Sequence, residues 1–419
     1  MSKKMYLCID LKCFFASVEC VERFLDPFTT DLVVADPSRG NGAICLAISP
    51  SLKAKGVKNR CRIFEIPKNI KYITALPRMK KYIEYSSDIY SIYLKYVSDE
   101  DIMVYSIDEC FLDITSYVKL YKKTPKELAK MIIDDVYEQT GICATVGIGT
   151  NLFLAKVALD ITAKHSKDFM GYLDEDEFKK QIWHHRPITD IWNVGHGIAT
   201  RLAKYGCFDL YDVAHMDETI LYKEFGVNAE FLIDHSKGIE PCTIKEIKSY
   251  KRKNSSVSNG QILFEDYVYD DAFLVLKEMV ELNVLELVSK HLVCNSISLF
   301  VGYSKDIIKP VGVSMKLDEY TNSQKKLNEY FVRLFTKSVN PNYMIRRINI
   351  GFNNVVDESY ATYNLFTDIE AEEKERKMQE AIIQIKNKFG KNSILKAMNL
   401  KEKATTTKRN KLIGGHNGE

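Results

Sequence analysis

Three carboxylates stand where carboxylates are costly unless they have work to do. Asp108 and Glu109 sit side by side inside "VYSIDECFLDIT", a run whose other members (Val104, Tyr105, Ile107, Phe111, Leu112 and Ile114) favour a buried strand. A third acid, Asp10, closes the apolar run "MYLCID" near the start of the chain. Adjacent residues on a straight strand point to opposite faces, but at a hairpin turn both can serve one site. Three carboxylates from a strand end and a facing turn suit one or two Mg²⁺ ions, which demand hard oxygen ligands. Two such ions about 3.5–4 Å apart clamp the attacking and leaving oxygens of phosphoryl transfer. An isolated Asp-Glu pair is also common. Residue types alone leave open the plainer reading of a solvated hairpin tip beside an ordinary strand end.

The surrounding elements decide whether these acids can meet. After "MYLCID", Phe14, Val18, Val21 and Leu25 recur at helical spacing, so Asp10 falls at a strand end just before a helix. "DLVVADP" and "AICLAIS" are further strands joined by the turn "SRGNG". "SLKAKGVKNRCRIFEIP" reads as a basic helix and loop, and residues 79–97 as a long amphipathic helix. Thr124, Pro125 and Glu127 form a capping box with proline at the first helical position, and that helix stops at Gly141. "ICATVGIG" is a buried strand, and Asn151 opens the next helix. Strand, helix, hairpin, helix, strand predicts an α+β sandwich: an antiparallel sheet backed by two helices, with a strand-rich insertion after the first helix. Asp10 can then face Asp108 and Glu109.

Composition shifts after about residue 172. "ITDIWNVGHGIATRLAKYGCFDLYDVAHM" reads as two short helices around the tight loop "VGHG", Val194–Gly197. A basic connector leads into a second α+β domain, and a charged helix then runs into a polar, Gly-rich end expected to fray. The whole chain of 419 residues exceeds one core and suits two to four domains. A net charge of +3 does not by itself announce a nucleic-acid binder. Ten scattered cysteines without a C-x-x-C pair indicate reduced thiols, neither a disulfide framework nor a zinc site. No apolar run reaches membrane-spanning length, so the expectation is a cytoplasmic protein with no membrane partner.

In this order and spacing, "CIDLKCFFASVE", "VYSIDECFLDIT" and "VGIGTNLFLAK" resemble the signature motifs of Y-family DNA polymerases, the translesion enzymes of the UmuC/DinB type. "WNVGHGIATRLAKYG" resembles the helix–hairpin–helix of that family's thumb. "FGKNSILKAMNL" is similar to the end of UmuC-like proteins from a branch in Gram-positive bacteria. The resemblance covers nearly the whole chain. It implies a right-hand polymerase: a ferredoxin-like palm over 1–172 with small fingers inserted at about 26–78, a thumb over 173–240, a little finger over 245–358 and a tail over 359–419. It further implies primer–template DNA and dNTPs as partners, two Mg²⁺ ions with Mn²⁺ able to substitute, and low-fidelity synthesis in DNA-damage tolerance of the SOS type.

Residue by residue, the resemblance assigns the catalytic metal ligands to Asp10, Asp108 and Glu109, with the backbone carbonyl of Leu11. Phe15 matches the steric gate that excludes a ribose 2′-OH, and Phe14 is expected beside the deoxyribose. Lys156 and Lys53 match cations at the triphosphate. Two positions depart from the pattern: Lys12 stands where many relatives carry Asp, an acid that is not a metal ligand, and Pro50 stands where many carry Tyr, whose phosphate contact Ser49 or Ser51 would have to replace. Gly195 and Gly197 would aim backbone N–H groups at a DNA phosphate. Residues 245–358 carry sixteen Lys and Arg against fourteen Asp and Glu, so DNA contact there rests on local placement, with Lys251, Arg252, Lys253, Arg346 and Arg347 as candidates. "TYNLF", with Leu365 and Phe366, resembles a sliding-clamp peptide, although its usual Gln is Thr362; the alternative is an apolar spot docking the tail on its own protein. Two further alternatives are an inactive DNA- and clamp-binding accessory protein that kept the fold, and a nucleotide cyclase, which would need neither thumb loop nor clamp peptide.

Overall fold

The computed structural model describes residues 3–251, 255–363 and 367–418. The chain divides into two compact units, with the boundary at Tyr250/Lys251.

The first unit is built on β1 (Tyr6–Leu11), α1 (Phe14–Val21), β2 (Leu32–Val34), β3 (Ala47–Ile48), α2 (Pro50–Ala54), β4 (Ile73–Ala75), α3 (Met79–Tyr93), β5 (Ile102–Val104), β6 (Glu109–Asp113), α4 (Tyr117–Leu120), α5 (Pro125–Thr140), β7 (Ala144–Gly149), α6 (Leu152–Val157) and β8 (Met170–Leu173). The main sheet runs β5-β6-β1-β7-β8. β5 and β6 form the expected hairpin and β1 pairs antiparallel with both β6 and β7. β8 adds a parallel strand that the alternation of "FMGYL" did not betray.

The sheet departs from the expected sandwich of one sheet and two helices: three helices cover one face, and the other face is covered as well. Leu7, Ile9 and Leu11 of β1 point into a core shared with α1, α3 and α5. On the other face Tyr6, Cys8 and Phe111 pack against α6, so the sheet is covered twice. Glycine makes the second cover possible. A Cβ on Gly147 would lie 2.0 Å from the Ala155 carbonyl oxygen, and one on Gly149 2.1 Å from the Ala155 nitrogen. Only bare backbone lets α6 approach this closely.

Local chemistry fixes the ends of these elements. Thr124 Oγ1 accepts from the Glu127 N–H (3.2 Å) while the Glu127 carboxylate accepts from the Thr124 N–H (2.7 Å), and Gly141 ends α5 at φ 69°. The helix opened by Asn151 is regular only to Val157; Ala158–Thr162 widens into a π turn and Ala163–His165 tightens into a 3₁₀ turn. α3 ends at Tyr93, short of residue 97. β2, β3 and β4 make a separate small sheet, order β3-β2-β4, over its own apolar cluster. Short helices follow: α7 (Glu175–Gln181), α8 (His196–Ala203), α9 (Leu210–Ala214), α10 (Glu218–Phe225), α11 (Ala229–Ser236) and α12 (Ile244–Ser249).

The second unit folds in the chain order β9 (Val257–Tyr267), α13 (Tyr269–Ser289), β10 (Leu292–Tyr303), β11 (Val311–Thr321), α14 (Gln324–Ser338) and β12 (Ile345–Asn353). Its antiparallel sheet runs β11-β10-β12-β9, with the core between one sheet face and α13 and α14. The described residues of the tail through Gly418 belong to this unit. Its helix, Ile369–Phe389, reaches the core through Ile383, and Thr405 and Thr406 are buried against Glu278. Composition suggested fraying because the end is polar; one buried carboxylate accepts from Asn399, Thr405 and Thr406 and holds it. Among the described residues no helix is long and apolar enough to cross a membrane.

Candidate active site

β1 and β6 bring the acids together. Asp10 and Glu109 are direct partners in the antiparallel register, and the Leu11 N–H donates to the Asp108 carbonyl (2.9 Å), tying the hairpin end to the strand end. Opposed residues on one face stand about 5 Å apart at Cβ. Asp108 is held in its turn by the Ser106 hydroxyl, which donates to Oδ1 at 2.6 Å.

The site is electrostatically tense. Burial, with the carboxylates of Asp108 and Glu109, pushes Asp10 up to about 7 against the pull of Lys164 and Lys156. Glu109 accepts from the Cys8 thiol (3.1 Å) and pairs with the Lys156 ammonium (2.9 Å). Burial keeps Cys8 a thiol, far above its ordinary range, and Glu109 adds to the effect. Burial works against the Lys156 cation, but the carboxylates of Asp160 and Glu109 outweigh it and raise its pKa. Lys156 also reaches Asp160 (3.0 Å), and Asp160 reaches Lys164 (2.7 Å). Among the described residues no three His, Cys, Asp or Glu side chains are gathered into a ready cage. The three acids share one end of the sheet, but Glu109 is turned to lysine. Together with the Leu11 carbonyl they remain an all-oxygen donor set, the kind that Mg²⁺ and similar hard cations take.

Directly after β1 the chain turns through Cys13, whose φ of 50° is left-handed, and starts α1. This turn separates the two phenylalanines. Phe14 is 2% exposed and lies in the core. Phe15 is half-buried and stacks on Tyr82 (centroids 4.4 Å, planes 14° apart). The Tyr82 hydroxyl donates to buried Glu19 (2.8 Å), and Arg78 binds the same carboxylate twice, at 2.9 and 3.0 Å. The ring at the expected gate is therefore braced by a charged network reaching 63 residues along the chain.

Lys53 lies exposed in the last turn of α2. Pro50 opens that helix, and both flanking serines are occupied: Ser49 accepts from the Leu32 N–H (3.1 Å) and Ser51 donates to Asp31 (2.6 Å). Both are buried, so neither replaces a tyrosine hydroxyl. Lys12 was not expected to matter. Its ammonium sits 3.9 Å from the Phe169 ring centroid and 5.7 Å from that of Phe28, with no carboxylate within ion-pair distance among the described residues. Burial and neighbouring Lys53 lower its pKa, although Cys143, Cys13 and Asp10 pull the other way. Phe169 itself adopts φ 57°, an uncommon conformation for an aromatic residue.

Gly195 caps α8 and Gly197 lies in its first turn. A Cβ at either would meet nothing within 4 Å, and neither has positive φ. Neither packing nor conformation inside the chain demands these glycines; they leave bare N–H groups open to close approach. In the second unit, Arg347 stands on the sheet face opposite the helices, beside a shallow groove of about 600 Å³ lined by Ser258, Gly260, Ser298, Ser314 and Asn353. Arg346 pairs with Asp266 (3.6 Å). Lys251 is exposed. Arg252, Lys253, Leu365 and Phe366 lie outside the described residues.

Sequence reading missed Cys8, Asp160, Lys164, Glu19, Tyr82 and Phe169. A signal existed for two of them: Lys156, Asp160 and Lys164 recur every four residues, the spacing of neighbours on a helix face. Nothing local ties Tyr82 to Phe15.

Known proteins resemble the chain over nearly its whole length. Residues 9–160 match the impB/mucB/samB family and residues 254–365 match its C-terminal domain. The chain is 31% identical to the putative UV-damage repair protein UvrX of Bacillus subtilis, over 99% of this chain and 98% of that one. It is 30% identical to DNA polymerase IV 2 of the same organism, over 99% of each. The fold resembles a Y-family DNA polymerase chimera of Dbh and Dpo4, with a TM-score of 0.65 and 21% identity, covering 84% of this chain and 99% of the other.

Proposed function

The chain belongs to the impB/mucB/samB family of Y-family DNA polymerases, and on that premise we propose that Asp10, Asp108 and Glu109 carry DNA-templated nucleotide addition at a primer end. The observation that carries the reading is the register of Asp10 with Glu109, beside a backbone bond to Asp108, at a strand end with only lysines to offset the charge. The family uses divalent metal; we assign two Mg²⁺ ions, with Mn²⁺ as substitute, to these three carboxylates and the Leu11 carbonyl. Bound there, divalent ions neutralise the transferring phosphoryl group and align the attacking and leaving oxygens.

The chain's own residues do the rest. With metal bound, Glu109 would serve in the ligand set in place of its pairing with Lys156, and the Lys156 ammonium would be left to face the triphosphate. Lys53 and Lys12, neither with a carboxylate partner among the described residues, neutralise the outer phosphates. Phe15, braced by Tyr82, fills the space of a ribose 2′-OH. The bare N–H groups at Gly195 and Gly197 hold a DNA phosphate, and Lys251, Arg252, Lys253, Arg346 and Arg347 meet the backbone without reading sequence. In this reading residues 1–172 form the palm with inserted fingers, 173–240 the thumb, and 245–358 the little finger. Leu365 and Phe366 engage a sliding clamp. The role is low-fidelity synthesis past damaged template.

Primer extension with Mg²⁺ and dNTPs tests the assignment. Asp108→Asn and Glu109→Gln should abolish nucleotide addition and leave DNA affinity nearly unchanged, because each removes a metal ligand distant from most phosphate contacts. Extension by either variant at wild-type rate would refute the assignment. Wild-type protein that binds DNA but extends nothing would favour the accessory reading.

A further inference from the structure

The tail segment similar to UmuC-like proteins has no part in the chemistry above, yet the fold invests in placing it. Glu278, on α13 and 1% exposed, accepts from Asn399 Nδ2 (2.9 Å), the Thr405 N–H (2.7 Å) and Thr405 Oγ1 (3.2 Å). Lys396 pairs with Glu281 on the same helix (3.5 Å). A buried carboxylate that accepts several hydrogen bonds is a strong local anchor. The anchored tail borders an open cleft of about 450 Å³ between α13, the end of the Ile369–Phe389 helix and residues 391–410, within the size range of small-molecule sites.

Its lining is one-sided in charge. Lys386, Lys391 and Arg409 face it, and none has a carboxylate within ion-pair distance among the described residues. Lys386 spends its bonds on the carbonyls of Lys391 and Ile394 (2.8 Å each), and Arg409 donates to Asn259 (3.0 Å). The acid in the lining, Glu286, is already paired with Lys290 (2.5 Å). Burial holds both Lys386 and Arg409 below their ordinary pKa, so an anion beside them would relieve a standing cost. At the floor, Asn283 is 1% exposed. Its Nδ2 donates to the Met279 carbonyl (2.7 Å), but its Oδ1 has no partner. Buried acceptors without partners are rare and costly.

We propose that this cleft binds a small organic phosphate carrying a hydrogen-bond donor, for which a nucleoside monophosphate is the probe. The phosphate sits among Lys386, Lys391 and Arg409 at the rim, and the donor meets Asn283 Oδ1 at the floor. Inorganic phosphate satisfies only the rim.

The test uses the full chain in EDTA, which removes metal-dependent nucleotide binding elsewhere, and follows thermal stability and calorimetric binding. The probes are deoxyadenosine monophosphate, deoxyadenosine, inorganic phosphate and a short DNA duplex. The monophosphate should bind and raise the melting temperature. Deoxyadenosine and phosphate should each bind at least roughly tenfold more weakly. Lys391→Ala, at an exposed position, should weaken monophosphate binding by a similar factor and leave primer extension unchanged. Asn283→Leu should abolish binding while the unliganded protein melts higher, since the unpaired oxygen is gone. Absence of binding, equal binding by wild type and both variants, or equal affinity for inorganic phosphate and monophosphate would each overturn the proposal. So would stabilisation by duplex DNA that Lys391→Ala removes without any response to monophosphate, which would assign the cations to DNA backbone.

Discussion

Replacing Asp10 by Asn should stabilise the protein that it inactivates. Burial and two neighbouring carboxylates raise Asp10 from 3.8 to about 7. The folded state thus holds the Asp10 proton more tightly than the unfolded chain does, and ionisation of Asp10 opposes folding. That penalty is absent below the unfolded value, grows as pH rises from about 4 to 7, and is complete above the folded value. About three units at 1.36 kcal/mol each set a ceiling of about 4 kcal/mol. Asp10 keeps a partly exposed edge and Asn does not reproduce the protonated acid, so about 2 kcal/mol is the working figure. For a unit of this size that corresponds to roughly 4–8 °C in melting temperature. Both tryptophans, Trp183 and Trp192, lie in the first unit, so their fluorescence reports its unfolding without interference from the second. Urea melts in EDTA, run at intervals from about pH 4 to 8, should show Asp10→Asn level with wild type at the acid end and ahead at the alkaline end. Excess Mg²⁺ should then narrow the gap by stabilising wild type alone. A variant no more stable than wild type at about pH 8, or a gap independent of pH, would refute the electrostatic account of the site.

Three other expectations each concern a single place in the chain. Phe15→Ala should admit rNTPs, and Tyr82→Leu should do so more weakly by releasing the stacked ring; competition of dNTP and rNTP on one template measures both, and an unchanged preference in Phe15→Ala would place the gate elsewhere. Lys12→Ala should raise KM for dNTP several-fold with a smaller change in kcat, since the ammonium has aromatic neighbours but no carboxylate to hold it from a triphosphate; steady-state single-nucleotide addition separates the two constants, and an unchanged KM would confine Lys12 to packing on Phe169. Changing Leu365 and Phe366 together to Ala should leave extension of short primers intact and remove stimulation by a sliding clamp at moderate salt, where tethering offsets weak backbone binding. Equal stimulation of both proteins would refute the clamp reading, and loss of stability without clamp would indicate self-docking.

What the sequence determined about this protein is local. Strand ends, helix starts and caps depend on residues within about four positions, so Asp10 at the end of β1, the Thr124–Glu127 box and the stop at Gly141 were legible, and so was the meeting of Asp10 with the 108–109 turn. Helical spacing set Phe14 with Val18 and Val21 on the apolar face, where it lies, but could not show what Phe15 would meet, because Tyr82 stands on another helix. Nor could it show that Lys156 would be drawn onto Glu109, because that pairing needs α6 laid directly on the sheet, and the approach is set by the missing side chains of Gly147 and Gly149 on a neighbouring strand. The serines beside Pro50 read as free hydroxyls and are consumed by Leu32 and Asp31; the polar tail read as frayed and is gathered by Glu278. In each case the deciding partner is distant in sequence. Which ring meets which, and which charge finds which counter-charge, is set by close packing between elements, and no local pattern records it.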